Sequence, residues 1–305
     1  MTHLYRVFGL SLESIIDCPE LLPAESASQP DLVIRYGEVP QTLENAADRG
    51  PRWQAAPGRF LVNVEGLGRF FVRDGREICI QPLAAVAEEA IRLYLLSGCL
   101  AILLHQRRLF VLHCSGVATE RGAVLFAGKS GTGKSTMVSA FLERGYKIVA
   151  DDMLALTFDD QGRVVALPGF PQVKLWADSA KALGRSTDGL RRVTAADDKF
   201  IAPERERFSS DPAPLHAIYD LRVGEVATPS LEPLAHTPRF HILLDHTWQK
   251  ATLTGLGVRE WHFQTAARIA ALTYAARLTR PPEPLDIPRT AGLIEADLRR
   301  EHRLV

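Results

Sequence analysis

The stretch LFAGKSGTGKSTMVSAFLERGYKIVADDM, residues 125–153, decides the fold. An apolar strand comes first, a glycine-rich loop and a helix ending near Gly145 follow, and a second apolar strand ends in Asp151 and Asp152. A strand, a helix and a strand in succession predict a right-handed parallel crossover, with the carboxyl ends of both strands at one edge of the sheet. We therefore predict an α/β fold in which the loop and the aspartate pair lie side by side.

The glycine-rich loop matches the phosphate-binding pattern G-x-x-x-x-G-K-[ST]. In such a loop, backbone N–H groups wrap a polyphosphate, the lysine reaches its terminal groups and the hydroxyl binds magnesium. A chance glycine-rich turn is the alternative, and the flanking strand and helix disfavour it. The predicted nucleotide-binding residues are Gly128, Lys129, Ser130, Gly131, Thr132, Gly133, Lys134, Ser135 and Thr136.

Asp151 and Asp152 are the predicted catalytic carboxylates, together with Lys134. One carboxylate at this edge can hold magnesium, and a second can accept a proton from an attacking hydroxyl. A turn-forming aspartate pair is the alternative. We assign Ser135 and Asp152 to the metal, and the residues alone leave open which aspartate is the base.

His113 stands at the carboxyl end of the strand VLH, ahead of the loop strand. If both strands share the sheet, its imidazole points toward the phosphates, where it can orient an aspartate or contact the γ-phosphate. A purely structural histidine is the alternative. His113 is therefore a further candidate catalytic residue.

Composition excludes several classes of function. Thirty-six basic residues balance 36 acidic ones, so no global field favours nucleic acid or a membrane surface. The apolar run from Ile91 to Leu104 is shorter than the roughly 20 residues of a bilayer span, and no export signal is present, which predicts a cytoplasmic protein. The cysteines lack metal or disulfide spacing; they are Cys18, Cys79, Cys99 and Cys114.

We predict two domains: a β-rich N-terminal domain at 1–84 and a catalytic domain at 85–305 that includes C-terminal helices. LVIRYGEVP, FLVNV, RFFVR and EICIQ indicate an antiparallel meander, with a polar loop at 41–58. A long helix from Ala85 joins the two halves.

The remaining chain alternates strands and helices. LALTF, RVVAL and VKLWA predict strands, 177–183 a helix, 195–214 a loop and LHAIYDLRV a strand. RFHILLDHTWQKATLTGL and EWHFQTAARIAALTYAAR predict helices, and an amphipathic segment runs from Thr290 to Arg300.

Residues 112–153 resemble the catalytic core of the HPr kinase/phosphorylase family, with its histidine strand, GxSGxGKS loop, helix ending in RG and VADD strand. The resemblance implies a P-loop kinase core akin to phosphoenolpyruvate carboxykinase, using ATP and Mg²⁺ to phosphorylate a serine. One aspartate would then be the base and the other would lie near the metal. His113 takes the place of the family's active-site histidine.

The whole chain is similar to HPr-kinase-like proteins of lasso-peptide clusters, in YRVFGLSLES, PDLVIRYGEVP, PGFPQVKLWADSAKALG, DDKF and PLHAIYDL. This implies a ribosomally made precursor peptide as the acceptor. ALPGFPQVK stands where HPr kinases have EIRGLG, and their PGRN signature is absent, which counts against phosphorylase activity and against HPr as the substrate.

Lys174 and Lys199 are candidates for contacts to phosphate or to a peptide carboxylate, and Arg205 and Arg207 are weaker ones. The predicted partner is a peptide or protein that presents a serine, with no nucleic acid and no membrane. The alternatives are a kinase of a small molecule such as free serine, and a nucleotide-regulated binding or scaffold protein. The sequence leaves open whether the chain forms a homo-oligomer.

Overall fold

The structure, a computed structural model, describes residues 1–25, 29–194, 196–282 and 286–300. The chain is mixed α/β and has two compact units. Unit 1 contains Met1–Val111 and Thr247–Thr265, and unit 2 contains Leu112–His246 and Ala266–Val305. The first unit thus extends past the boundary predicted at residue 84 and includes a later segment of the chain.

Unit 1 is built on one sheet, in the strand order β3-β1-β2-β4-β9-β8-β7-β6-β5. Its strands are β1 (His3–Val7), β2 (Leu10–Ser14), β3 (Leu22–Pro23), β4 (Leu32–Tyr36), β5 (Asp48–Arg49), β6 (Trp53–Ala56), β7 (Arg59–Val64), β8 (Gly68–Arg73) and β9 (Glu77–Pro82).

The four strands predicted in this region form, but only β7, β8 and β9 make the antiparallel meander. Strand β4 pairs with β9 and β2 in the parallel sense. The polar loop predicted at 41–58 contains β5 and β6, so that prediction was wrong. Apolar burial explains the difference, because Ala56 packs in a cluster with Val39, Leu43 and Leu61.

The long helix predicted from Ala85 is divided into α1 (Glu88–Tyr94), a π-helical segment (Leu95–Cys99) and α2 (Leu100–Gln106). It lies in unit 1 and is followed by β10 (Phe110–Leu112). Among the described residues, no helix has the length and hydropathy that crossing a membrane requires.

Unit 2 carries the predicted site. Its strands are β11 (Cys114–Thr119), β12 (Gly122–Ala127), β13 (Lys147–Ala150), β14 (Leu154–Phe158), β15 (Val164–Leu167), β16 (Gln172–Trp176), β17 (Arg191–Arg192), β18 (Lys199–Pro203), β19 (Ala213–Val223), β20 (Ser230–Pro233) and β21 (Tyr274–Arg280). Its helices are α3 (Lys134–Leu142), α4 (Ala177–Ala182), α5 (His236–Asp245), the end of α6 (Arg259–Leu272) and α7 (Ile287–Leu298).

The predicted crossover is present with one strand inserted. Strand β11 pairs antiparallel with both β12 and β13, so β12 and β13 point the same way without being neighbours. On the other side, β12 pairs in parallel with β19, and Ala127 lies opposite Asp220. The carboxyl ends of β12, β13 and β19 therefore share one edge of the main sheet, which we call the site edge.

A separate sheet has the order β16-β18-β17. Its middle strand lies inside the segment 195–214 that was predicted to be a loop, so the prediction was wrong for that strand; Ala195 itself lies outside the described residues. The strand forms because β16 offers an antiparallel partner over Gln172–Trp176, and because Ile201 and Ala202 are buried.

Two predicted C-terminal helices end earlier than expected. Helix α5 stops at Asp245, and a 3₁₀ turn follows at Lys250–Thr252. The end of the next predicted helix, from Tyr274, is strand β21, which pairs in parallel with β19. Long-range pairing in a buried sheet overrides the helical appearance of this alanine-rich run. The amphipathic segment at the C-terminus is helix α7, capped by Asp286.

Candidate active site

The glycine loop, residues 128–133, connects β12 to α3. Gly128, Gly131 and Gly133 have φ values of 149°, 83° and 107°, which side chains rarely adopt. A Cβ atom on Gly128 would also lie 2.5 Å from Thr132 Oγ1 and 2.7 Å from the Leu221 carbonyl oxygen. The loop path thus requires glycine, and it leaves Lys129, Ser130 and Gly131 exposed.

Lys134 begins helix α3 and is buried. Its Nζ donates to the carbonyl oxygens of Gly128 at 2.9 Å and Lys129 at 3.2 Å, so the ammonium group is held against the loop. Burial lowers the pKa of Lys134, and the negative charges of Asp152 and Asp151 oppose that shift. The side chain therefore places a positive charge where the pattern predicts phosphate.

Asp151 is a buried carboxylate with three hydrogen bonds. Its Oδ1 accepts from Ser115 Oγ at 2.5 Å and Ser135 Oγ at 2.8 Å, and its Oδ2 accepts from the Lys174 backbone N–H at 2.7 Å. These donors fix the carboxylate beside the first turn of α3. The arrangement ties the end of β13 directly to Ser135 in the first turn of α3.

Asp152 has different partners and a left-handed backbone, with φ of 73°. Its Oδ2 is 2.9 Å from Lys174 Nζ and its Oδ1 is 3.3 Å from His113 Nδ1. Burial raises the pKa of Asp152, but Lys174, and His113 when protonated, outweigh it and bring the pKa to about 2. Asp152 is consequently ionised at neutral pH.

His113 holds the other side of Asp152. Its Nδ1 also lies 3.0 Å from the Asp152 carbonyl oxygen, which can only accept, so we assign the hydrogen to Nδ1. Burial and the charge of Lys134 lower the pKa of His113 to about 4, against the opposing effect of Asp152. The backbone N–H of His113 donates to the His246 carbonyl oxygen at 2.7 Å, which anchors the strand end.

Ser135 and Asp151 together suit magnesium bound along with a polyphosphate. Mg²⁺ prefers oxygen ligands, and commonly takes one or two protein groups plus phosphates and water. Within the described part of the chain, no group of three or more histidine, cysteine or acidic side chains is arranged to hold a metal alone. The predicted metal pair was Ser135 and Asp152, whereas the hydrogen bond joins Ser135 to Asp151.

The predicted lysines lie on the small sheet. Lys174 is on β16 and contacts both aspartates, while Lys199 on β18 contributes to lowering the pKa of Asp152. Arg207 instead makes ion pairs with Glu204 at 2.7 Å and Glu143 at 3.0 Å. Arg205 is exposed.

Two residues of this edge were missed in the sequence. Ser115 lies on β11, two positions after His113, and this nearness in the chain was the available signal. Asp220 is fully buried, and its Oδ2 accepts from Arg222 Nε at 2.9 Å and Arg277 Nε at 3.2 Å. One of the two arginines that pair with Asp220, Arg277, lies on β21, a segment that the sequence predicted to be helical.

The geometry supports two separate tasks for adjacent carboxylates. Asp151 faces the hydroxyl of Ser135, and Asp152 faces a lysine and a histidine. One carboxylate can therefore act on a phosphate-bound cation while the other acts on an incoming hydroxyl. Lys134 and Lys174 supply positive charge on the two sides.

No family model matches the chain. "Putative HPr kinase/phosphorylase" from Fusobacterium nucleatum subsp. nucleatum is 34% identical over an alignment of 95 positions, and the match covers 26% of this chain and about 15% of the length of that relative. The HPr(Ser) kinase/phosphatase structure from Coxiella burnetii aligns with a TM-score of 0.33 and 13% identity, over 62% of this chain and 88% of that one, a level that does not establish a shared fold. The chain therefore has weak sequence homology to an HPr kinase/phosphorylase over about a quarter of its length.

Proposed function

We propose that the protein is an HPr-kinase-like enzyme that uses ATP and Mg²⁺ to phosphorylate a serine hydroxyl, on a P-loop kinase core akin to phosphoenolpyruvate carboxykinase. The observation that carries this proposal is the unequal environment of the two aspartates. Asp151 is bonded to Ser135 at 2.8 Å, and Asp152 is held by Lys174 at 2.9 Å and His113 at 3.3 Å.

The nucleotide phosphates bind to the backbone of the glycine loop and to Lys134, which already lies against that loop. Ser135 and Asp151 would hold the metal. When bound there, magnesium would neutralise charge on the phosphates. The sequence analysis assigned Asp152 to the metal, whereas this proposal assigns Asp151.

Asp152 then acts on the acceptor. The serine oxygen forms a bond to the γ-phosphorus, the bond from that phosphorus to the β,γ-bridging oxygen breaks, ADP leaves and the hydroxyl proton passes to Asp152. With a pKa of about 2, Asp152 is a weak base that is always ionised at neutral pH. A weak base suffices because the loose transition state of phosphoryl transfer needs little proton removal before the bond forms.

His113 and Lys174 position Asp152 during this step. The Nδ1–H of His113 donates to the Asp152 carbonyl oxygen at 3.0 Å, which fixes the backbone of Asp152, and the ammonium of Lys174 lies 2.9 Å from Oδ2, which aims the carboxylate. Lys174 also offsets charge that develops on the transferred group. The proposed acceptor is a serine of a ribosomally made precursor peptide, as the lasso-peptide resemblance implies.

The test is phosphorylation of a mixture containing a degenerate serine peptide library and the peptides encoded beside the gene. The purified protein is incubated with γ-labelled ATP and magnesium, and peptide mass is read by spectrometry. We expect a gain of one phosphate that Lys134→Ala and Asp152→Asn reduce by at least about 10²-fold. Asp160→Asn, at an exposed position away from these contacts, serves as the matched control.

Two outcomes would contradict the proposal. Nucleotide binding without transfer to any peptide would favour the regulated binding protein. Transfer that survives Asp152→Asn at the control's rate would remove Asp152 from the reaction.

A further inference from the structure

The small sheet presents a cationic face beside the proposed reaction centre. Side chains at register-paired positions of neighbouring strands lie on the same face, and faces alternate along each strand. Lys174 pairs with Ile201, which pairs with Arg191, and Trp176 pairs with Lys199. These five residues therefore share one face, and we call Lys174, Lys199, Arg191 and Trp176 the cationic strip.

Side-chain contacts confirm the division of faces. Lys199 Nζ lies 5.8 Å from the centre of the Trp176 ring, as expected for neighbours on one face. On the other face, the Arg192 guanidinium lies 5.5 Å from the centre of the Phe200 ring. Phe200 and Leu175 also line a cavity with Ala180 of α4, so this second face is turned toward protein.

The outer members of the cationic strip are accessible and its charged side chains are all basic, while Lys174 at its inner end is paired with Asp152. Trp176 is 41% exposed, and Arg191 is exposed. Over the described residues of β16, β17 and β18, this face has three basic side chains and no acidic one. Such a surface attracts an anionic partner and repels a cationic one.

The cationic strip begins at the reaction centre and extends beyond it. Lys174 bonds to Asp152 at 2.9 Å, whereas Arg191 lies two strands away, about 10 Å at the usual strand spacing. Trp176 lies about 7 Å further along β16 than Lys174. A single phosphoryl group cannot span this area, and Lys134 with the glycine loop already serves the nucleotide phosphates.

We propose that the cationic strip binds an acidic segment of the acceptor peptide, with aspartate or glutamate side chains near the phosphorylated serine. This inference rests on the proposed kinase function and specifies its substrate class. Trp176 contacts an apolar part of the same segment, and Lys174 connects the bound segment to Asp152.

A binding measurement tests the inference independently of catalysis. The probe is a fluorescein-labelled decapeptide with one serine and four glutamates, compared by anisotropy with the same peptide carrying four glutamines. We expect at least about fivefold tighter binding of the glutamate peptide at low salt, and loss of that preference in Arg191→Glu. Arg192→Glu is the matched control, because it changes the same charge on the same strand but on the opposite face.

Folding of the variants is checked by thermal melting, because Arg192 pairs with Asp198 at 3.0 Å. Should either reversal unfold the chain, Arg191→Gln and Arg192→Gln replace the pair. Equal binding of the two peptides, or equal loss in both variants, would overturn the inference.

The phosphorylation assay separates this inference from the proposed function. In the peptide library, we expect acidic residues to be enriched around the phosphorylated serine, and Arg191→Glu to remove that enrichment. Phosphorylation without enrichment of acidic residues would support the proposed kinase function and would contradict the proposed role of the cationic strip. If no peptide is phosphorylated, the binding preference still decides whether the strip recognises acidic segments.

Discussion

The site edge of the main sheet and the cationic strip of the small sheet both contact Asp152, yet their side chains are organised differently. Asp151, Ser115 and Lys134 are buried and bonded to neighbouring atoms at 2.5–3.2 Å. Trp176 and Arg191 are exposed. Groups that act on a transferred phosphate gain from a fixed, partly dry environment, whereas a surface that receives a peptide must stay open.

The largest difference should appear when the two aspartates are exchanged for asparagine in turn. Asp151→Asn removes the charge beside Ser135, so we expect magnesium-dependent nucleotide affinity to fall by about 10²-fold. Asp152→Asn should leave that affinity within about twofold and reduce kcat instead. Nucleotide titrations with and without magnesium, combined with steady-state kinetics, measure both quantities.

Equal effects of the two substitutions on nucleotide affinity would contradict the separate roles proposed for Asp151 and Asp152. If Asp151→Asn and Asp152→Asn weakened nucleotide binding equally, the two carboxylates would share one task, and the separation of metal and acceptor sides would be lost.

A smaller effect concerns the pH dependence of activity. In the proposed reaction Asp152 acts when ionised, and its pKa of about 2 places the expected loss of activity well below neutral pH. His113 is neutral above its pKa of about 4, so we expect constant kcat/KM between about pH 5 and 7. Lys174→Met removes the nearest positive charge and should raise the pKa of Asp152, which moves the acid limb to higher pH.

The control for this profile is Lys147→Met, at an exposed position of β13. Its acid limb should coincide with that of the unmodified protein. An unchanged limb in Lys174→Met would show that Lys174 does not set the charge of Asp152, and the link between the two sheets would then be structural only.

The smallest effect is on stability within the small sheet. Trp176→Ala removes an exposed ring and one cation–π contact, so we expect the free energy of unfolding to fall by less than about 1 kcal/mol. The adjacent Leu175→Ala, at a buried position, should cost about 2–5 kcal/mol. Urea unfolding of the two variants compares them, and equal losses would show that the face carrying Trp176 is packed rather than open.

The local sequence pattern was enough to predict that most of the candidate site residues lie together. The loop, Lys134 and the aspartates lie within one strand–helix–strand segment, and the parallel sense of its two strands puts their carboxyl ends at the same edge. Lys174 could be named from the sequence, but its simultaneous contacts with Asp151 and Asp152 depend on how β16 is placed. The separate partners of the two aspartates likewise follow from side-chain geometry that no spacing encodes.

The errors came from pairing between distant segments. Strand β21 continues an alanine-rich helical pattern, but its pairing with β19, more than 50 residues earlier, and with β20 makes it a strand. Because β21 was predicted to be a helix, the pairing of Asp220 with Arg277 of that strand was not predicted either. Strand β18 was missed because a polar segment of the chain separates it in sequence from β16, the strand with which it pairs.

The insertion of β11 between β12 and β13 bears on the order of folding. Strands β11 and β12 form a hairpin over Cys114–Ala127, which closes a very short loop, and β13 then joins the free side of β11. Contacts between segments close in the chain form at low entropic cost. We therefore expect the segment that carries Ser115, the glycine loop and both aspartates to assemble as an early folding nucleus of unit 2, before β21 docks on β19.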